Sequence, residues 1–479
     1  SAPLCRTGGS GGVPPSKLLL IIRSREVLMK KIRMGVGSGY WGGLIEPAIE
    51  IVEKGDIQYL GLEYLAEVTL IILHKARAKD PSKGYILEAV DYLRRVLPTC
   101  ASKGIKIITN MGGANPMAAA DEVIRVARDL GLKGMKVGVV LGDDLLDRLD
   151  DFLERGLRFP NLDTGEEDIG RVRERLVAAN AYIGADSMVD ALRAGADIII
   201  TGRSTDNALY VAPPIYEFGW DWPNGDWDRV GAAITVGHIV ECAEPVTGGM
   251  SCLWKEVPEP WRIGHPIAEM YEDGTALITK TPGSGGMVNT WTVKHHLVYE
   301  SHDPKNYLMP DGIADFTSLK LEDIGPDMVR VTGMKGKPRP ATLKVCMGYE
   351  DGYIGEAECT VTWPDALEKA QWVEKFLRER FKIIGLAAEE MRFDYIGVNS
   401  IHGPRATPPK EELNEVRVRV AVRTRTRAEA LKVRREIPIL MGAGPAGTTG
   451  VFDPPQPRAV WSLWPTLIPR EEVPTRLIM

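Results

Sequence analysis

The sequence predicts an α/β protein: a doubly wound, mostly parallel sheet, then a mixed β-rich region and a C-terminal ferredoxin-like α+β domain. Three observations predict it. Between residue 32 and about residue 240, short runs rich in Ile and Val alternate with helix-spaced stretches across glycine-marked turns, the pattern of strands buried on both faces of a parallel sheet. From about 245 to 340 the apolar runs shorten and alternate with Gly/Pro turns. From about 342 the order reads β-α-β-β-α-β, the split βαβ arrangement.

The first strand, KIRMGV, runs into Gly37-Ser38-Gly39-Tyr40-Trp41-Gly42 and the helical stretch LIEPAIEIVEKG. The second, QYLGLEYL, carries Glu63, 21 residues after Gly42. Strand, G-x-G-x-x-G, helix and strand-end acid is the setting of a phosphate-binding loop. Glycine lets a backbone approach an anion, and the next helix N-terminus offers free N–H groups. Gly37, Ser38, Gly39 and Gly42 are therefore candidate contacts for a pyrophosphate, a phosphopantetheine-type group or a carboxylate. The same residues also make an ordinary strand-to-helix turn with no ligand. Glu63 suits a ribose and suits a catalytic carboxylate equally well.

Further strands are IKIITNM at 105–111, MKVGVVLG at 135–142 and ADIIITG at 196–202, with helical spacing over 43–55, 65–78, 84–103, 116–131 and 169–180. A tryptophan-rich stretch, 218–227, precedes the β-like pieces TALITK, TVKHHLVYE and MVRVTG. In the last part GYIGEAECTVTW, FDYIGVNSI, VRVRVAVRT and RAVWSLWPTLI read as strands, and ALEKAQWVEKFLRERF and RAEALKVRREIPILM as helices. The glycine-rich GAGPAGTTG at 442–450 ends the second helix. The expected division is a Gly/Ser/Pro-rich leader at 1–28, a doubly wound domain at 29–244, a β-rich region at 245–341 and the ferredoxin-like domain at 342–479.

A chain of 479 residues, 44% hydrophobic and 26% charged, reads as a globular protein of two or three domains that needs no disulfide or structural metal to fold. A net charge of -6 and the lack of any basic run argue against nucleic-acid binding. The six cysteines, Cys5, Cys100, Cys242, Cys252, Cys346 and Cys359, form no C-x-x-C pair, so reduced thiols in a cytoplasmic protein are expected. The apolar run Leu18–Ile22 near the start is too short for a signal-peptide core or a membrane span.

Ligands of doubly wound sheets sit at the carboxyl ends of the strands. Those ends carry Gly37-Ser38-Gly39; Glu63 and Glu67; Thr109, Asn110 and Asn115; Asp143 and Asp144; and Thr201, Gly202, Arg203 and Asp206. Asn110, Asp143 and Ser204 also suit helix caps, each worth about 1 kcal/mol. Arg203 is the best anion clamp, since a guanidinium takes a carboxylate in a bidentate fork; Asp206, three residues on, is its alternative partner. His238 and Glu241 stand at i, i+3 in GHIVECAEPVTGG, on one helix face, as an acid/base pair or half of a metal site. A third ligand is not evident nearby. Thr247, Gly248 and Gly249, and the loop Gly283-Ser284-Gly285-Gly286, offer backbone N–H groups for an anion or an oxyanion, or plain turns. His295 and His296, read on a strand, point to opposite faces. No G-x-S-x-G, G-K-[ST] or H-E-x-x-H occurs, which weighs against those hydrolase, NTPase and protease classes.

Taken together, IRMGVGSGYWGGLIEPAIEIVEKGDIQYLGLEYLAEVT, IITNMGGANPMAAA, LGDD, ANAYIGADSMVDALRAGADIIITGR, GHIVECAEPVTGG, ITKTPGSGGMV and YESHDPKNYLMPD resemble the acyclic terpene utilization AtuA family, over about residues 32–470. The resemblance implies catabolism of branched or terpenoid acids carried as coenzyme A thioesters. It brings no catalytic residues with it, and it lowers the dinucleotide reading. The expected function is an enzyme acting on a carboxylated acyl-CoA, of lyase or hydratase type, with His238, Glu63 and Glu241 as acid/base groups. Ligand contacts would come from Gly37, Ser38, Gly39, Gly42, Asn110, Asp143, Arg203, Asp206, Thr247, Gly248, Gly249, Gly283, Ser284 and Gly285. The alternatives are a noncatalytic binding or assembly component of an acyl-CoA pathway and, third, an NAD(P)-dependent oxidoreductase. No cofactor is implied beyond coenzyme A as part of the substrate. The expected partners are that small molecule and further copies of the chain, with neither nucleic acid nor membrane.

Overall fold

The computed structural model describes residues 29–222, 224–450 and 454–479. The expected leader at 1–28 lies outside them. Two compact units emerge. The first comprises the described residues up to Phe159, Ala179–Cys346 and Thr466–Met479; the second comprises Pro160–Ala178 and Met347–Pro465.

The first unit is α/β and is built on a ten-stranded mixed sheet. In chain order its elements begin with β1 (Lys31–Gly39), α1 (Glu46–Lys54), β2 (Tyr59–Glu63), α2 (Glu67–Lys79), α3 (Leu87–Lys103), β3 (Lys106–Thr109), α4 (Pro116–Asp129) and β4 (Val137–Leu141). They continue with β5 (Leu176–Ala181, which begins in the second unit), α5 (Asp186–Arg193), β6 (Ile198–Thr201), α6 (Ala208–Phe218) and α7 (Trp227–Val240). Strands β1, β2, β3, β6 and β4 lie side by side in that order, all parallel. They are short Ile/Val runs because both faces are covered; Ile198, Ile199 and Ile200 of β6 are wholly buried.

The expected β pieces after residue 245 extend this same sheet. Strands β7 (Pro266–Tyr271) and β8 (Ala276–Lys280) follow, then α8 (Thr290–Leu297), β9 (Tyr307–Met309), β10 (Gly312–Asp315), β11 (Lys320–Gly325), β12 (Met328–Thr332) and β13 (Lys335–Lys337). Strand β7 pairs antiparallel with β1, β8 with β7, β12 with β8 and β11 with β12. Strands β13, β10 and β9 form a small separate sheet.

Two expected elements change type. The stretch expected to be helical over 169–180 has only a short helix, Gly170–Arg173, before β5. Ala181 N–H donates to the Asp143 carbonyl and Leu145 N–H to that of Ala179, at 2.8 Å each, so pairing with the chain after β4 holds residues 179–181 extended at the end of the stretch expected to be helical. TVKHHLVYE, read as β-like, is the helix α8. Asn289 caps it: its side chain accepts from Trp291 and Thr292 N–H while Thr292 Oγ1 accepts from Asn289 N–H. That capping box outweighs the β-branched residues.

Helix α6 is buried from Ala208 to Ile215 and α7 from Val230 to Val240, as befits interior helices. Together with the sheet they carry the last turn of α7 into the interior.

The second unit has strands β14 (Thr342–Thr362, which begins in the first unit), β15 (Glu390–Ile396), β16 (Glu415–Thr424), β17 (Thr448–Gly450) and β18 (Arg458–Pro469), with helices α9 (Ala366–Ile383) and α10 (Arg427–Glu436). The order is β15-β16-β14-β17, with antiparallel neighbours. Alternate residues Val416, Val418, Val420 and Val422 of β16 face a core shared with Val373, Leu377 and Phe381 of α9. The GAGPAGTTG stretch holds a short helix, Leu440–Ala443, and β17 rather than a bare loop. The first unit closes with β19 (Arg476–Ile478), antiparallel to β4. No helix of the described residues is long and apolar enough to cross a membrane.

Candidate functional site

Buried polar groups gather at the carboxyl ends of β2, β3 and β6 and at the end of α7. Glu63 is the last residue of β2 and is 5% exposed. Its Oε2 has no hydrogen-bond partner among the described residues. Burial drives its carboxyl well above the usual range, and the nearby charges of Asp206 and Glu241 push the same way against the pull of Arg203. A carboxyl in that state takes up a proton more readily than a solvated one and can exchange it with a substrate.

Around it lies a set of unspent donors and acceptors. Asn110, just past β3, accepts from Tyr64 N–H at 2.8 Å, while its Nδ2 is buried without a partner among the described residues. Past β6, Arg203 Nε, Ser204 Oγ, Thr205 Oγ1 and both amide atoms of Asn207 likewise find no partner among them, nor does the Tyr210 hydroxyl on α6. Each buried unpaired group costs about 1–3 kcal/mol. A concentration of them marks a place where a bound molecule can supply the missing partners.

Arg203 and Asp206 are brought together. The guanidinium donates to Asp206 through Nη1 at 2.7 Å and Nη2 at 3.3 Å, and to the Leu65 carbonyl at 2.7 Å. It stacks 4.2 Å from the Tyr182 ring centroid. Its fork is therefore occupied by Asp206, leaving Nε for a ligand. Asp143 accepts from Arg203 N–H at 2.7 Å and from Asn180 Nδ2 at 3.0 Å, and burial lifts its carboxyl to about 7. It supports the β6 turn rather than capping a helix. Asn110 and Ser204 do not cap helices either; α4 is capped by Asn115, whose Oδ1 accepts from Ala118 N–H.

His238 sits in the last turn of α7 and Glu241 just past it, the i, i+3 pair on one face. His238 Nδ1 lies 3.1 Å from Glu241 Oε1 and 3.1 Å from the Tyr307 hydroxyl, and Nε2 lies 3.3 Å from the Leu297 carbonyl. Burial lifts the Glu241 carboxyl to about 7, against the pull of His238. The third member of this group was not evident in the sequence. His296, on α8, stacks 5.4 Å from the His238 ring. Burial holds its imidazole neutral, down to about 3, with His238 acting in the same direction. On a helix, neighbouring side chains diverge by about 100°, so His295 turns away to Ser251 Oγ and Cys252 Sγ, at 3.4 and 3.3 Å. The capping box at Asn289 was the signal that would have put these histidines on a helix.

The glycine-rich stretches lie in strands and turns. Gly37 and Gly39 lie within β1 itself. A Cβ at Gly37 would stand 2.5 Å from a Leu62 methyl. Ser38 Oγ donates to the Tyr40 carbonyl, and Gly42 turns the chain at φ +99 before α1. Gly248, Gly249, Ser284, Gly285 and Gly286 spend their N–H groups on backbone carbonyls, those of Pro245, Glu244, Thr281, Arg262 and Pro258. The Thr247 carbonyl accepts from Met287 N–H, and Gly283 turns at φ +75.

Neither the curated proteins nor the solved structures compared with this chain give a match. The family model of the acyclic terpene utilisation family protein AtuA matches residues 32–479, essentially the whole described fold, and the chain belongs to that family.

Proposed function

We propose that this chain is an enzyme of branched or terpenoid acid catabolism that acts on a carboxylated acyl-CoA thioester, by lyase- or hydratase-type chemistry. One observation carries the reading: Glu63 is buried at a strand end with a free carboxylate oxygen, amid unspent amide donors. Proton transfer beside a thioester carbonyl needs a base with a raised pKa and donors for the enolate oxygen. Glu63 takes the proton, Asn110 Nδ2 and Asn207 Nδ2 hold the oxygen, and Arg203 Nε steadies the substrate's carboxylate. His238 and Glu241 complete the polar set around it. The family's link to acyclic terpene utilisation supports the branched substrate class. In this reading the parallel strands form a doubly wound core, the enzyme works in the cytoplasm, and the β15-β16-β14-β17 order supports a ferredoxin-like second unit.

The test is a thermal-shift screen against coenzyme A, branched acyl-CoA thioesters and NAD(P), followed by turnover assays on the thioesters that bind. Stabilisation by acyl-CoA with turnover supports the proposal; a response to dinucleotides alone would replace it with redox chemistry. A binding or assembly role is the second reading. It draws on Trp372 of α9, 42% exposed and stacked 5.1 Å from Phe376, an aromatic surface suited to a second copy of the chain. Ligand binding without turnover, together with self-association lost in Trp372→Glu, would favour it.

A further inference from the structure

We infer that His238, Glu241 and His296 form a binding site for a divalent transition-metal ion. One donor atom from each lies within 4.8 Å of the others, and all three residues are buried. Two imidazoles and one carboxylate are a donor set that takes such ions with a coordination position left open for water or a substrate oxygen.

The placement of the His238 nitrogens suits the site. Nε2 faces the Leu297 carbonyl at 3.3 Å, and a carbonyl only accepts. A proton on Nε2 leaves the Nδ1 lone pair open toward Glu241 Oε1, at 3.1 Å, and the Tyr307 hydroxyl, at 3.1 Å. A cation held there would draw on that lone pair and on the carboxylate together. In a tetrahedral site with ligand bonds of about 2.05 Å, neighbouring donors stand about 3.3 Å apart, close to the observed spacing. The Nε2–H to carbonyl bond is also the outer contact that fixes a ligand histidine's orientation.

His296 supplies the independent observation. It is 2% exposed, and neither ring nitrogen has a hydrogen-bond partner among the described residues. An imidazole buried with both nitrogens idle loses the hydrogen bonds it had in water, and coordination replaces one of them. The backbone adds to this. His238 and His296 both stand in the last turn of their helices, where the carbonyl ends carry partial negative charge and favour a cation. Tyr307, whose hydroxyl is 3.1 Å from His238 Nδ1, is placed to hydrogen-bond a water on the open position.

The inference stands on these donors and not on the acyl-CoA reading, so it is tested without a substrate. The full chain is purified without chelator and its metal content measured by mass spectrometry, with about one ion per chain expected. His296→Phe, which keeps the ring stacking, and Glu241→Gln should each lower occupancy at least roughly tenfold. Because a variant can fail to fold, the wild-type chain is also stripped with a chelator and reloaded with cobalt(II). Reloading should restore the melting temperature and give the visible absorption of a low-coordinate N/O site. The site is overturned if the wild type carries no ion and zinc, iron(II), manganese and cobalt(II) all leave the stripped chain unchanged. It is equally overturned if folded His296→Phe and Glu241→Gln keep full occupancy. Acyl-CoA binding to the stripped protein, measured alongside, separates a failure of this site from a failure of the proposed substrate.

Discussion

Gly39, at the end of β1, and Cys242, just past α7, meet backbone to backbone: a Cβ at Gly39 would stand 2.4 Å from the Cys242 carbonyl carbon. That approach brings the end of α7, with Glu241, against the sheet. Gly39→Ala must push the two backbones apart and should cost about 1–3 kcal/mol. Gly42→Ala meets open space and should cost only its backbone strain at φ +99, about 1 kcal/mol. Urea denaturation of the two variants checks the ranking. Equal losses would mean that close approach is not why position 39 is glycine.

Glu63→Gln keeps the shape of the side chain and removes its proton-transfer capacity. Turnover should fall by about 10²–10⁴, while the melting temperature at pH 8 stays level or rises, since a buried carboxylate no longer has to be charged. Parallel assay and calorimetry test this. Full activity in the variant would remove Glu63 from the chemistry.

Asp206→Ala leaves the Arg203 guanidinium, 4% exposed, without its main counter-charge. Breaking a fully buried pair costs about 3–5 kcal/mol. With Asp206 itself 26% exposed, solvent repays part of that, and roughly 2 kcal/mol is expected. Arg203→Lys should lose both the fork and the stacking on Tyr182. The urea midpoints of both variants provide the check.

Asp143 gives a pH dependence of definite sign. Burial lifts its carboxyl from 3.8 to about 7 in the folded protein, so the folded state binds this proton more tightly than the unfolded chain does. Stability is therefore fully present below the unfolded pKa and declines as pH rises toward about 7, by something on the order of 4 kcal/mol. Unfolding free energies at pH 5 and pH 8 should show the decline, with a shallower one in Asp143→Asn. An equal slope in wild type and variant would assign the effect to other groups.

The strand ends were legible because parallel buried strands write themselves as Ile/Val runs with polar residues after them; Glu63, Asn110, Asp143 and Arg203 were all found that way. The His238–Glu241 pair was legible from its helical spacing. His296 was not, because Val293 and Val298 around it suggest a strand, and the deciding interaction is a cap at Asn289 that periodicity does not register. Residues 176–180 misled for the converse reason: their helical spacing is local, and the backbone partners at Asp143 and Leu145 are not. The widening of the sheet by β7, β8, β11 and β12 was equally hidden, since alternation marks a strand but never names its neighbour. At Gly37 and Gly39 the motif suits a ligand loop and an ordinary turn alike; the structure puts both in the last three residues of β1, close to Leu62 and Cys242.

The first unit draws its last strand from the far side of the second unit in sequence. During synthesis, β4 leaves the ribosome early and then waits, one hydrogen-bonding edge uncovered, while the whole of the second unit is made. Only when β19 arrives does that edge close. An exposed edge strand invites pairing with other chains, so the newborn protein passes through an interval of vulnerability that the finished one no longer has.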